Sequence, residues 1–284
     1  MRKKLIATIL AAVAAVVVQA AEQFVTFSPE ADAIALGEAT IGIDDGEHSC
    51  VKLAVQSLTK DFYNVTGRTA VVGQSYAFGD PGLGYDAPVN AAPKIVVGTV
   101  GSNRQIDQWV KQGLLKDLKG RREKYIIKAI GQQLVIAGSD KRGTVYGIYE
   151  LSRQLGVSPW YWWADVPVEK HAEVYVKNGT FTDGEPAVEF RGLFLNDEAP
   201  CLTGWVKNTF GTNYGDHRFY EKVFELILRL KGNMLWPAMW GWAFYADDPE
   251  NGKTADRMGI IMGTSHHEPM ARNHQEYARK RKEW

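Results

Sequence analysis

Carboxylates, amides, indoles and imidazoles gather in three short runs of this sequence. The runs are Asn196-Asp197-Glu198-Ala199-Pro200, Trp236-Pro237-Ala238-Met239-Trp240-Gly241-Trp242 and Gly263-Thr264-Ser265-His266-His267-Glu268-Pro269. Polar side chains of these kinds hydrogen-bond hydroxyls, and aromatic faces cover the apolar side of a ring, so the set suits a sugar. A carboxylate can also move a proton or hold an attacking water. Each run has a plainer use. Asp197 or Glu198 would serve as a helix cap, and Trp236 or Trp240 as core. His266, His267 and Glu268 are metal-ligating types, but HExxH spacing is absent. Adjacent residues leaving a strand also point in opposite directions. The expectation is sugar or carboxylate recognition, with no metal and no cofactor.

The elements that must position these runs repeat a strand–helix unit. An apolar strand over 189–195, interrupted by Arg191, precedes the first run. A helix over 216–231 follows, with Asp216 as its cap and Phe219, Val223, Ile227 and Leu230 as its buried stripe. A strand over 233–236 leads into the second run. A short helix over 253–258 and a strand over 260–263 lead into the third, and a helix over 271–282 closes the series. Three βα units in succession are the repeat of a parallel barrel, whose active site lies where the strands end. All three runs fall at such ends. A complete eight-fold barrel takes about 250 residues, whereas fewer than a hundred follow position 187. The expectation is the first part, about three βα units, of a truncated (β/α)8 TIM barrel over 187–284. The basic stretch Arg279-Lys280-Arg281-Lys282 reads as the solvent face of its last helix.

Upstream, residues 22–178 read as a small N-terminal α/β domain. A strand over 39–43 precedes a helix over 47–63, on which Val51, Val55, Leu58 and Phe62 share one face; Gly67 sits in the turn beyond. A loop is expected over 73–93, and a strand over 94–97 ended by Gly98. Strands over 123–130 and 132–136 flank Gly131 as a hairpin. A helix over 140–155 is followed by Gly156. Neither GxGxxG nor GxxxxGK[ST] occurs, which argues against nucleotide binding. Residues 180–187 read as a linker. The aromatic run Trp160-Tyr161-Trp162-Trp163 fills an interdomain interface or touches ligand.

Residues 1–20 read as a secretory signal. Arg2, Lys3 and Lys4 precede an apolar stretch of about 14 residues, and Val18-Gln19-Ala20 offers a small-residue cleavage site. That stretch is short of the roughly 20 residues of a spanning helix. The expected location is secreted or periplasmic, with cleavage near Ala20 and no membrane attachment afterwards. Cys50 and Cys201 are read as free buried thiols. With 33 basic and 33 acidic residues the net charge is zero, which argues against a nucleic-acid partner.

The runs 191–198, 233–240 and 263–270, in order, resemble glycoside hydrolase family 115, the xylan α-1,2-glucuronidases. The segment 138–150 is similar to a pattern found before barrels in several polysaccharide-degrading families. The resemblance implies a small α/β domain ahead of a catalytic barrel, with this chain covering the N-terminal part of the family's length. It implies removal of glucuronic or 4-O-methylglucuronic acid from glucuronoxylan with inversion of configuration, and further catalytic carboxylates beyond Trp284. By the same resemblance, Asp197 matches an active-site carboxylate and His266 or His267 a substrate-contacting histidine. Asn196, Glu198 and Trp240 are looser matches, and Trp236 and Glu268 line the same loops. Two alternatives stand beside it: the front of an N-acetylhexosaminidase-like barrel, and a non-catalytic carbohydrate-binding fragment. Adjacent carboxylates such as Asp197-Glu198 mimic the former but fall on the first strand.

Overall fold

The computed structural model describes residues 22–73, 92–212, 215–238, 241–263 and 274–283. The signal-like segment 1–20 lies outside them, as does most of the loop read over 73–93.

The N-terminal elements build a six-stranded sheet with helices on both faces. In chain order they are β1 (Val25–Thr26), β2 (Ile34–Ala35), β3 (Thr40–Gly42), α1 (Ser49–Thr66), β4 (Val71–Gly73), β5 (Ile95–Thr99), α2 (Arg104–Lys111), β6 (Tyr125–Ile130), β7 (Gln133–Gly138), α3 (Lys141–Gln154), β8 (Tyr175–Val176) and β9 (Thr180–Phe181). Strand order is β4-β3-β5-β7-β6-β9. β3, β4, β5 and β7 run parallel, while β6 is antiparallel to both β7 and β9. β8 pairs with β1 and β2 in a separate small sheet.

A parallel strand covered on both faces is apolar at every position, and Ile95-Val96-Val97 of β5 is wholly buried. One face packs on α1 through Val51, Val55, Leu58 and Phe62, the stripe expected from the sequence. The other packs on α2 and the turn after it through Ile106, Trp109, Leu115 and Leu118. Gly98 lies inside β5 rather than ending it. A Cβ there would stand 2.6 Å from the Cβ of Asn103, the residue whose side chain caps α2 by accepting from the Ile106 amide at 3.0 Å. Thr180 and Phe181, read as linker, instead add an edge strand to β6.

The second region comprises β10 (Gly192–Asn196), α4 (Cys201–Phe210), α5 (His217–Arg229), β11 (Met234–Ala238), α6 (Phe244–Asp247), α7 (Glu250–Met258), β12 (Ile261–Met262) and α8 (His274–Lys280). β10, β11 and β12 pair in parallel in that order, Gly192 beside Met234 and Met234 beside Ile261. This is the expected repeat. Asp216 caps α5 by accepting from Phe219 at 3.2 Å. Phe219, Val223 and Ile227 are buried as read, but Leu230 is 43% exposed because α5 ends at Arg229. Cys50 is buried, and burial pushes its thiol up to about 11. Cys201 differs from expectation: it is free but exposed, on the first turn of α4.

The two regions share one core. The hydroxyl of Tyr146 on α3 donates to the carbonyl of Gly232 at 2.9 Å. Arg229, buried on α5, makes two hydrogen bonds to buried Asp61 on α1, at 3.0 and 3.2 Å, and lies over the rings of Tyr149 and Tyr161. Burial raises the Asp61 carboxyl, with Arg229 opposing. The aromatic run after α3 belongs to this contact. Tyr161 donates to Glu225 at 3.0 Å, the Trp163 indole donates to the Lys222 carbonyl at 3.2 Å, and Trp163 stacks on Trp205.

Candidate active site at the strand ends

The barrel-like sheet is anchored at one end and bears its candidate chemistry at the other. Arg191 and Asn233 stand at the feet of β10 and β11. The Asn233 side-chain oxygen accepts from the Arg191 amide at 2.8 Å. Both side chains reach Glu123, which is 2% exposed: Arg191 at 2.6 Å and Asn233 at 2.9 Å. Arg142 of α3 pairs with the same carboxylate. Burial pushes the Glu123 carboxyl up, but the bonds from Asn233, Arg191 and Arg142 outweigh it and hold the group below the ordinary glutamate range. Arg191, which interrupts the apolar run, is therefore the bolt between the two regions.

The segment 138–150 builds the other half of that bolt. Asp140 caps α3 through one oxygen, accepting from Gly143 at 2.9 Å, and holds the Glu123 amide through the other at 2.7 Å. A Cβ at Gly143 would meet the Lys124 carbonyl at 2.4 Å. The motif thus sets the close approach that aims Arg142 at Glu123.

At the opposite ends of the strands, Asn196 is the last residue of β10 and Asp197 follows it. In register, Phe194 faces Trp236 and Asn196 faces Ala238. Paired residues of parallel neighbours point to one face of the sheet, so Phe194, Asn196 and Trp236 share a face. Phe194 is 55% and Trp236 46% exposed there, whereas Leu235, pointing the other way, is wholly buried. A Cβ at Gly263 would stand 1.9 Å from the Trp236 indole. The missing side chain at 263 is what lets that indole lie across β12.

Asp197 is 4% exposed, and its Oδ2 accepts from the Gly241 amide in the loop after β11, at 3.3 Å. The sequence run places it at the end of the first barrel strand. The fold tucks it beneath the neighbouring loop, where it ties the first and second runs together. Arg279 of α8 grips the same loop, donating to the Gly241 carbonyl at 3.2 Å and pairing with Asp247; it is not simply a solvent-facing charge. The Asn196 amide donates to exposed Glu198 at 2.9 Å. Trp242 packs on the core rather than lining the face. Trp240, His266, His267 and Glu268 lie outside the described residues. Among those described, no cluster of His, Cys, Asp or Glu could hold a metal, and no helix is long and apolar enough to cross a membrane.

Parallel βα units that carry an amide and a carboxylate at the end of the first strand have the arrangement of the front of an α/β barrel, whose active site lies at that face. Residues 183–284 match the model of Glycosyl hydrolase family 115. A family GH115 4-O-methyl-alpha-glucuronidase, BtGH115A, with specificity for decorated arabinogalactans, superposes with a TM-score of 0.72 at 34% identity. The match covers 90% of this chain and 31% of that one. The chain therefore spans about a third of that relative's length, and over its barrel portion it belongs to glycosyl hydrolase family 115. A mutant Streptomyces plicatus beta-hexosaminidase in complex with its product GlcNAc shares the fold at a TM-score of 0.52 and 13% identity. That likeness covers 83% of this chain and 43% of that one. No curated protein matches.

Proposed function

We propose that this chain supplies the N-terminal α/β domain and the first three strands of the catalytic barrel of a secreted or periplasmic α-glucuronidase. The reaction removes glucuronic or 4-O-methylglucuronic acid, α-1,2-linked, from glucuronoxylan. The observation that carries the reading is Asp197: a buried carboxylate leaving the first parallel strand at the catalytic end, in a family 115 barrel.

Inverting hydrolysis uses an acid and a base on opposite sides of the bond, about 6.5–9.5 Å apart, so that a water fits between them. Asp197 is one such carboxylate or the group that orients it. The exposed faces of Trp236 and Phe194 offer apolar ring surface, and Asn196 an amide for hydroxyls. The remaining carboxylates and the cations for the uronate belong to strands beyond β12, so residues 1–284 alone lack glucuronidase activity. The name of the family 115 relative points to arabinogalactan side chains, which makes decorated arabinogalactan the competing substrate.

The test is Asp197→Asn in the enzyme carrying a complete barrel, assayed on both polysaccharides with circular dichroism and melting temperature alongside. A fall in kcat/KM of at least about 10²-fold, the low end for a general acid or base, with an unchanged fold, is the expected result. Near-wild-type turnover would reduce Asp197 to a tie between two loops. Release of uronate from arabinogalactan alone would replace the xylan assignment.

A further inference from the structure

The N-terminal sheet has a crevice of its own. β3 leads through α1 to β4 on one side, while β5 leads through α2 towards β7 on the other, so chain direction diverges between the adjacent strands β3 and β5. In open α/β sheets, ligands bind at that divergence, outside the carboxyl ends of the strands. Here the place is occupied by a cleft of about 530 Å³, lined by Asp44 and Asp45 after β3 and by Ser102, Arg104, Gln105 and Gln108 after β5. That volume lies within the range of small-ligand sites.

The cleft is built rather than incidental. Glu47, buried, fixes its two walls: one oxygen accepts from the Thr99 amide at the end of β5 at 2.8 Å, the other from His48 at 3.0 Å. Asp44 is 8% exposed. Its Oδ2 accepts from the Arg104 amide at 3.3 Å, while its Oδ1 has no hydrogen-bond donor among the described residues. A buried carboxylate oxygen without a protein donor calls for an explanation, and a hydroxyl entering the cleft supplies one.

We propose that this cleft is an accessory site for a neutral, hydroxyl-rich ligand, one to two rings of a pentose or hexose oligosaccharide, separate from the strand-end site of the barrel. Hydroxyls donate to Asp44 and accept from the Arg104 guanidinium and the Gln105 and Gln108 amides. Two carboxylates in the lining repel a phosphate or uronate. Arg104 repels a metal ion, and no three-ligand cluster stands there among the described residues. Such a site holds an undecorated stretch of polysaccharide while the barrel works elsewhere, and it rests on the cleft alone, independent of the barrel's substrate.

Saturation-transfer NMR and calorimetric titration on the purified chain would use xylotriose, arabinotriose and galactotriose, with glucuronic acid and inorganic phosphate as anionic probes. Saturable binding of at least one neutral trisaccharide is expected, unchanged in Asp197→Asn. It weakens by at least about tenfold in Asp44→Asn, as for loss of a hydrogen bond to a charged group, and by at least about threefold in Gln108→Ala, as for loss of a neutral one. Gln108 is exposed on α2, so its variant carries the test should Asp44→Asn alter the fold. Absence of saturable binding by all three sugars, equal binding by the cleft variants, or preference for either anion overturns the proposal. Loss of binding in Asp197→Asn would move the ligand to the barrel and overturn it equally.

Discussion

The two parallel sheets of this protein are made of similar residues in different surroundings. In the N-terminal sheet, helices cover both faces and β5 and β7 are buried almost throughout. In the barrel sheet α5 and α7 cover one face: Leu235 is wholly buried, while Phe194 and Trp236, on the opposite face, are 55 and 46% exposed. The open face is the one a closed barrel turns inward. The contrast teaches that a strand can be read from its residues, while the completeness of its packing cannot. The barrel sheet is tied to the N-terminal domain by the shared core under its covered face and by the charged bolt at its foot.

That bolt gives the largest expected effect. Glu123→Ala leaves Arg191 and Arg142 without their shared carboxylate and Asn233 with only the Glu189 carbonyl as acceptor. Breaking a buried ion pair costs about 3–5 kcal/mol, so urea denaturation should show a loss of that size. If the bolt serves only the barrel sheet, the loss should appear at that sheet first, as lost amide protection on β10 and β11 with β5 and β7 retained. Equal loss of protection in both sheets would show a single cooperative unit.

Acid sharpens the same comparison. Glu123 and Glu150 are both held below the ordinary glutamate range. Burial opposes this in each, but it is outweighed in Glu123 by bonds from Asn233, Arg191 and Arg142, and in Glu150 by Arg153 and Lys231. A carboxyl lowered on folding contributes stability above its unfolded value, and that stability disappears as pH falls through the folded value. Stability should therefore hold down to the unfolded glutamate range, near pH 4.5, and fall below it. Glu123→Gln should flatten that decline, which pH-dependent thermal melts would measure; an unaltered slope would assign acid sensitivity to other groups.

How much of this was legible beforehand follows from what each feature depends on. Helix α1 was visible in its stripe, and α5 in its cap and stripe, because both signals are local. The parallel order of β10, β11 and β12 was visible because each strand was followed by a helix. Helix α4 was missed: it begins after Pro200 with no side-chain cap. Helix α2 was missed because it is only eight residues long. At the site, the three strand-end runs were legible as composition. The Asp197–Gly241 tie spans 44 residues of sequence, and the Glu123 bolt joins positions 68 and 110 residues apart. No local pattern announces such pairs; an arginine interrupting an apolar strand was the one available hint.

Smaller effects should come from closing the gaps that two glycines leave. At Gly138, the end of β7, a Cβ would stand 2.1 Å from the Thr144 backbone nitrogen; at Gly263 it would stand 1.9 Å from the Trp236 indole. The second approach is nominally tighter, yet backbone of a capped helix cannot step aside, whereas a half-exposed indole can turn about its side-chain torsions. Gly138→Ala should therefore cost the upper part of the roughly 1–3 kcal/mol typical of overpacking, and Gly263→Ala the lower part or less. Chemical denaturation of the two variants, with tryptophan fluorescence to report displacement of Trp236, measures both. Equal losses would mean that the Trp236 indole is as firmly held as the covered core, which would erase the contrast between the two sheets.

The smallest effect is expected at the open face itself. Ile136 of β7 is fully buried against α3, and trimming it to valine removes one methylene from a packed site, at about 0.5–1.5 kcal/mol. Phe194 of β10 is 55% exposed on the uncovered face. A surface substitution clear of caps, buried pairs and strained backbone stays within about ±0.5 kcal/mol, so Phe194→Ser should change the stability of this chain less than Ile136→Val does, although far more apolar surface is deleted. In an enzyme with the complete barrel the order should reverse, because the same phenyl then packs on the facing strands and its loss costs what a core aromatic costs, about 3–5 kcal/mol. Urea midpoints for the two variants in both chains give the four numbers required. A Phe194→Ser loss above 1.5 kcal/mol in the present chain would show that something already covers this face, and an unchanged midpoint in the complete enzyme would show that it never points into a barrel.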